Sequence, residues 1–250
     1  MIKSKILRNQ KYVSHYFFNR LGGISKGIYK SLNCGKGSKD KIVNINKNLK
    51  IVSKKIGCNS ENLVSLNQIH SNKVHKINNV PKKRLTGDAM ITNQQNIAIS
   101  ILTADCAPIL IIDKKQKFVG AIHAGWKGAF RGIVKKTIQL LKKNGCSEKD
   151  MIACIGPCIK KNSYVVKNDF FRLFKNKNKK NINFFTFKKK KIFFDLSKYI
   201  KSQFYENGVK KIVIIRKDTY ALGNNFFSCR RSKKNKYNDY GRNISAIMIK

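Results

Sequence analysis

Ile97-Ala98-Ile99-Ser100-Ile101-Leu102-Thr103, then Ala104-Asp105-Cys106-Ala107, then Pro108-Ile109-Leu110-Ile111-Ile112-Asp113 and, after a short polar gap, Phe118-Val119-Gly120-Ala121-Ile122-His123 is the passage that decides the fold. It contains three apolar runs of strand length, rich in Ile and broken by polar or turn residues, and each reads as a buried strand. Lys114-Lys115-Gln116 is placed to connect the second run to the third as a hairpin. Past His123 the period changes. Phe130, Ile133, Val134, Ile138 and Leu141 form one apolar stripe of a helix, and Gly145 is placed to end it.

The same alternation continues outward in both directions. Upstream, Tyr12–Phe18 is aromatic and β-branched and reads as a strand. Asp40–Ile56 has helical spacing, with Ile42, Ile45, Leu49 and Val52 on one side and Gly57 at its end. Downstream, Met151–Ile155, Val209–Arg216 and Ile244–Ile249 read as strands. Leu196, Tyr199, Ile200 and Phe204 mark a helix that Asp195 caps, with Gly208 near its end. No regular strand–helix–strand repeat runs through this order, so the class is α+β, with helices packed on sheets. With 250 residues, 42% hydrophobic composition, three prolines and no linker, residues 1–250 read as a single domain.

Charge is the feature most open to misreading. Lys+Arg number 54 against 12 Asp+Glu, a net charge of +42. Such a chain can release counterions from a nucleic acid. The lysines, however, are spread from end to end among Asn, Ile and Phe, as a compositional bias would leave them. The densest runs, Lys175–Lys180 and Lys188–Lys191, read as a solvated loop or hairpin rim. Nucleic acid is therefore not the expected partner. The seven cysteines are an odd number in a chain too long to need disulfide staples. The first ten residues lack a secretory apolar segment, and no apolar run approaches a membrane span. The expectation is a cytoplasmic protein with free thiols and no membrane partner, and it admits a homodimer.

Of the four histidines, two stand where a core histidine would be odd. His70 lies in Asn67-Gln68-Ile69-His70-Ser71, and His123 ends an apolar run before Ala124-Gly125-Trp126. Cys106 sits at the break between two strands. Three strand ends can thus converge, and two imidazoles with one thiolate suit Zn²⁺, leaving a fourth position for water or substrate. No compact ligand motif supports this spacing, so ordinary core or cap residues remain the alternative reading. Cys154 and Cys158 flank Gly156-Pro157 and read as buried thiols, not a second metal knuckle. His75 points away from His70 if both lie on one strand. Trp126 reads as packing the helix start, with stacking on a purine as the alternative.

Set in order, Arg20-Leu21-Gly22-Gly23-Ile24-Ser25, Ser31-Leu32-Asn33, Gln68-Ile69-His70, Gly87-Asp88-Ala89, Thr103-Ala104-Asp105-Cys106-Ala107-Pro108 and His123-Ala124-Gly125-Trp126-Lys127-Gly128 are followed by Ile155-Gly156-Pro157-Cys158-Ile159, Phe226-Phe227-Ser228-Cys229-Arg230-Arg231 and Gly241-Arg242. Together they closely resemble the laccase-domain, or polyphenol-oxidase-like, purine nucleoside phosphorylase family. The likeness covers almost the whole chain. It implies a layered α-β-β-α sandwich and a zinc held by His70, Cys106 and His123, with Cu²⁺ as the alternative ion. It implies phosphorolysis of adenosine, inosine and 5′-methylthioadenosine, with adenosine deamination alongside. Phenol oxidation and editing of a peptidoglycan precursor are the other activities linked to such proteins.

Three positions depart from the family pattern: Lys127 stands for Arg, Asp218 for Cys before Thr219, and Cys229 for Tyr. The expected roles follow from the chemistry of phosphorolysis. Asp105 and Cys106 are the catalytic candidates, Asp105 either as acid/base or as a residue orienting a ligand. Arg20, with the Gly22-Gly23 loop, and Arg230 or Arg231 are the candidates for phosphate.

Overall fold

The stretch Ile97–His123 does not stay in one sheet. In the computed structural model, which describes residues 1–115 and 117–250, it forms β5 (Ala98–Thr103), β6 (Ala107–Asp113) and β7 (Val119–Ala124). Strands β6 and β7 pair antiparallel, with Ile112 opposite Val119, as a hairpin requires. The expected connection Lys114-Lys115-Gln116 reaches outside the described residues at Gln116. Strand β5 instead pairs antiparallel with β13 (Asn243–Ile249) and parallel with β2 (Leu63–Ser65). The Ala104–Cys106 break is therefore where the chain crosses from one sheet to the other, which puts Cys106 at a junction.

The four-stranded sheet runs β1 (Val13–Phe17), β13, β5, β2. The six-stranded sheet runs β12 (Lys211–Ile214), β8 (Met151–Ile155), β6, β7, β4 (Ala89–Thr92), β3 (Val74–Lys76). A small sheet is made by β10 (Phe185–Lys188), β11 (Lys191–Phe194) and β9 (Val165–Val166). Every residue of β6 and of β7 is buried, and this is why both read as unbroken apolar runs.

Alternation along β6 defines the layers. Leu110 and Ile112 face the four-stranded sheet and pack with Phe17, Ile99, Ile101 and Ile247. Ile109 and Ile111 face the other way, onto Ile133, Val134, Ile138 and Leu141 of α4 (Ile133–Lys143) and Ile200 and Phe204 of α6 (Leu196–Glu206). Fully burying each such side chain is worth roughly 1.5–3 kcal/mol, so a one-residue slip would turn both faces inside out. On the outer face of the four-stranded sheet lies α2 (Ile42–Ile56). Its Val52 packs on Phe18 and Ile244, and its Ile56 on Ala98, Ala246 and Met248. The order α-β-β-α is the layered α+β sandwich expected.

Local signals held where a single residue carries them. Gly57 ends α2 at φ +100°, and Asp195 accepts from the Lys198 amide to start α6. One expectation is corrected. The stripe read as a single helix from Phe130 is two, α3 (Trp126–Phe130) and α4, because Gly132 between them sits at φ +84°. Left-handed backbone is open to glycine and ends a helix whatever the side-chain stripe says. Trp126 packs edge-on against Phe170, and Phe174 stacks on Phe170, both from α5 (Asn168–Lys177). Among the described residues the remaining α-helices are α1 (Lys5–Arg8) and α7 (Cys229–Lys234). Lys175–Lys180 is exposed throughout, and Lys188–Lys191 is the tip of the β10–β11 hairpin. Among the described residues no helix is long and apolar enough to cross a membrane.

Candidate metal centre

Three loops at strand ends meet, and one carboxylate organises two of them. Asp88, fully buried just before β4, accepts the backbone amides of Ile69 (3.3 Å), His70 (3.0 Å) and Ser71 (2.6 Å) and the Ser71 hydroxyl (2.6 Å). Three successive amides aimed at one anion make a nest, and His70 adopts φ +58° within it. Oδ1 of the same carboxylate, which also accepts the His70 amide, binds Nδ1 of His123 at 2.8 Å. Asp88 therefore fixes both the loop that carries His70 and the ring of His123. Its Nδ1 contact leaves Nε2 of His123 as the ligating atom. Burial opposes the Asp88 charge, but the His123 and Ser71 hydrogen bonds outweigh it and draw the carboxyl down to about 2.

Cys106 Sγ lies 3.7 Å from His70 Nε2, and the two imidazole rings meet nearly edge-on with centroids 4.8 Å apart. The ligating atoms of His70, Cys106 and His123 all lie within 4.8 Å of one another. A tetrahedral ion with ordinary bond lengths holds a sulfur and a nitrogen ligand roughly 3.6 Å apart, so the donor set fits a metal in spacing as well as chemistry. Burial also opposes charge on Cys106 and His123, but their contact favours a thiolate–imidazolium pair. The thiol is drawn below its ordinary value and the imidazole above its own. The thiolate is the form that binds metal. Gly125 gives the cluster room, since a Cβ there would stand 2.8 Å from both Cys106 Sγ and His70 Cδ2.

His70, Cys106 and His123 line a cavity of about 250 Å³, together with Arg84, Tyr240 and Arg242. The residues expected around the cluster divide. Asp105 is buried, and its carboxylate accepts the Thr219 hydroxyl at 2.6 Å and the Arg230 amide at 2.8 Å. Burial raises its pKa against the pull of these bonds and of Arg231. The carboxylate thus ties the Cys106 junction to the start of α7. Arg231 directs its guanidinium to the carbonyls of Thr219, Tyr220 and Phe226. Arg230 donates to Val165 O and stacks on Tyr164. Gly23 packs on Ser31 and Leu32, and Arg20 lies next in the same loop, held by backbone bonds to Asn225, Ser31 and Leu32. None of Arg20, Gly22, Gly23, Arg230 and Arg231 is in the cavity lining. His75 bonds Thr86 O, outside the cluster. Cys154 and Cys158 are buried thiols, each pushed up to about 11 by burial.

Asp88, Gly125, Tyr240, Arg84 and Arg242 have no role that sequence alone assigned. Asp88, Gly125 and Arg242 stand inside motifs that carry the family resemblance, and that was the available signal. Of the departures from the family pattern, Cys229 is hydrogen-bonded to Tyr240 of the lining. Asp218 accepts from Ser163 and Tyr220, and Lys127 lies over the Trp126 ring.

Residues 14–250 match the family described as multi-copper polyphenol oxidoreductase laccase. The chain belongs to this family. Laccase-like relatives bear another name. A purine nucleoside phosphorylase of Rickettsia prowazekii is 32% identical over 197 residues, spanning 76% of this chain and 80% of its own length. One from Bacteroides thetaiotaomicron is 32% identical over 264 residues, spanning 100% of this chain and 96% of its own. Among solved structures, a Neisseria meningitidis protein superposes with a TM-score of 0.86 at 29% identity, covering 95% of this chain and 94% of that one. The Bacillus licheniformis protein YfiH, at 24% identity, shares the fold with a TM-score of 0.88 over 96% of this chain and 94% of its own. The family description does not fit this chain's donors. Among the described residues one cluster, of two histidines and a cysteine, is placed to hold a metal ion, a donor set for one ion and not for several copper centres.

Proposed function

We propose that the chain is a zinc-dependent purine nucleoside phosphorylase acting on adenosine, inosine and 5′-methylthioadenosine, with adenosine deamination as an accompanying activity. One observation carries the reading. A single cavity places a donor set fit for one metal ion beside two arginines and a tyrosine. At about 250 Å³ it lies just below the usual range for small-molecule pockets, roughly 300–1,000 Å³, and suits a nucleoside better than a polymer. The relatives' name agrees with such a substrate.

His70, Cys106 and His123 would hold the ion. Imidazole and thiolate favour Zn²⁺, with Cu²⁺ the next candidate. When bound, the ion supplies a Lewis-acid position open to the cavity. The protein's own groups do the rest. Asp88 fixes the His123 ring and the His70 loop, so the donors need little reorganisation on binding. Asp105 acts as a positioning residue, because its oxygens are engaged by Thr219 and Arg230. In phosphorolysis an oxygen of dihydrogen phosphate bonds to C1′ as the C1′–N9 bond breaks, and the leaving base takes up the proton that the phosphate gives up. Seven free thiols fit a reducing compartment, the cytoplasm.

Purified metal-replete protein incubated with inosine and inorganic phosphate should release hypoxanthine and ribose 1-phosphate in equal amounts, with no release when phosphate is omitted. A folded, zinc-loaded sample that releases no base from inosine, adenosine or 5′-methylthioadenosine would overturn the reading. A parallel screen with peptidoglycan precursors and with phenols reports the two rival activities directly.

A further inference from the structure

Phosphorolysis needs an anion site beside the ion, and the arginines that the sequence reading nominated are engaged elsewhere or lie outside the cavity. Arg242 is different. Its backbone is pinned on both sides, with its amide on Asn33 Oδ1 at 2.9 Å and its carbonyl accepting from Cys34. Nη1 donates to Asp239 Oδ1 at 3.2 Å and to Tyr240 O at 2.6 Å. The guanidinium stacks on the Tyr240 ring, 4.4 Å from its centroid. Asp239 is itself held by the Tyr29 hydroxyl and the Lys39 amide. Gly35 makes room for the stem, because a Cβ there would stand 2.3 Å from Arg242 Cδ.

All these bonds use one side of the guanidinium. The Nε and Nη2 donors, which form its other edge, have no partner among the described residues. A guanidinium fixed by three contacts, on a backbone held at both its amide and its carbonyl, and left with a two-donor edge is preorganised for a tetrahedral oxyanion. Arg84 lines the same cavity, and it too makes no hydrogen bond or ion pair among the described residues. One guanidinium with a free two-donor edge, Arg242, and one with no carboxylate partner among the described residues, Arg84, share the cavity with the metal-competent cluster.

We propose that Arg242, through its Nε–Nη2 edge, and Arg84 bind the inorganic phosphate of the reaction. The inference rests on the phosphorolysis reading for the identity of the anion, but not for the existence of the site. Arg242 orients the phosphate, and Tyr240 keeps the guanidinium plane fixed. Arg242→Lys keeps the charge and removes the fork. Arg84→Gln alters an exposed residue and keeps the test alive if the first variant folds poorly.

Two measurements test this on full-length protein whose metal content equals that of the wild type. In initial-rate kinetics with inosine and phosphate, Arg242→Lys should raise the KM for phosphate by about 30-fold and Arg84→Gln by about fivefold, with the KM for inosine within about twofold of wild type. In calorimetry with inorganic phosphate alone, both variants should bind more weakly than the wild type by similar factors. An unchanged phosphate KM in both variants, or an inosine KM rising in step with it, would overturn the assignment. If the wild type turns over no nucleoside yet binds phosphate in an Arg242-dependent way, the anion site stands and the phosphorolysis reading falls. If the wild type binds no phosphate, or both variants bind it equally well, the site is wrong whatever the turnover.

Discussion

Asp88 and Asp105 are both buried carboxylates beside the same three-residue cluster, yet their surroundings push them in opposite directions. Asp88 meets three amides, a hydroxyl and an imidazole, and its carboxyl is drawn down to about 2. Asp105 takes the Thr219 hydroxyl and a single amide at close range, with Ser228 and Arg231 pulling the same way, and burial still wins, so its pKa is raised. The difference shows that burial alone does not set the state of a carboxylate. What decides is how many donors converge on it. Asp88 is a permanent anion around which two ligand-bearing loops are organised. Asp105 is a tether that joins the sheet-crossing at Cys106 to the start of α7.

The contrast can be broken by substitution, and the largest effect belongs to Asp88. Asp88→Ala strands three amides and the His123 ring at once. It should cost about 3–5 kcal/mol in denaturant unfolding and weaken metal retention by about 10- to 100-fold. Stability and metal content near those of the wild type would remove Asp88 from the centre of the account.

A buried group far from both carboxylates gives the pH axis. His15 is 1% exposed and accepts the Ser4 amide at Nε2. Burial, then nearby Lys3, lowers its pKa to about 4 from 6.5. The folded protein therefore keeps it neutral where the unfolded chain would protonate it. Its contribution is complete above about pH 6.5 and declines as pH falls toward about 4, by about 3 kcal/mol in all. Wild type minus His15→Gln stability, measured from pH 7 to 4, should show that slope. A flat difference would contradict it.

Gly125→Ala sharpens the picture at the cluster itself. Gly125 has φ −70°, a conformation alanine accepts, so any loss comes from crowding Cys106 and His70. About 1–3 kcal/mol of destabilisation with lowered metal content is expected, whereas a neutral result would mean the cluster has slack. The smallest effect belongs to the tether. Asp105→Asn keeps an acceptor for Thr219 and loses the one for Arg230, costing about 1–2 kcal/mol with metal content unchanged. Metal loss equal to that of Asp88→Ala would erase the distinction between the two carboxylates.

Much of the fold was legible because its central strands are buried on both faces. The apolar runs at 97–123 gave β5, β6 and β7 to within about one residue, an accuracy that follows from continuous burial. That β5 and β6 belong to different sheets was not legible, since the Ala104–Cys106 break looks like any turn. The split between α3 and α4 was hidden because the apolar stripe runs on across Gly132 while the backbone does not. The cluster was legible chiefly through resemblance, as His70 and Cys106 are 36 residues apart. The phosphate candidates Arg20, Arg230 and Arg231 lie outside the cavity lining, and there is a physical reason why sequence could not show it. Among 54 Lys+Arg residues, nothing in one dimension shows which guanidinium is engaged by carbonyls, as in Arg231, and which keeps a free edge, as in Arg242.

Elemental analysis of the purified wild type against Cys106→Ala, each assayed for phosphorolysis of inosine, tests the central claim most directly. The account predicts about one zinc per wild-type chain, bound by the three-residue cluster. It predicts loss of both the ion and the activity in the variant. A wild type that stays fully active after its metal is stripped, or a variant that keeps its full complement of zinc, would contradict it.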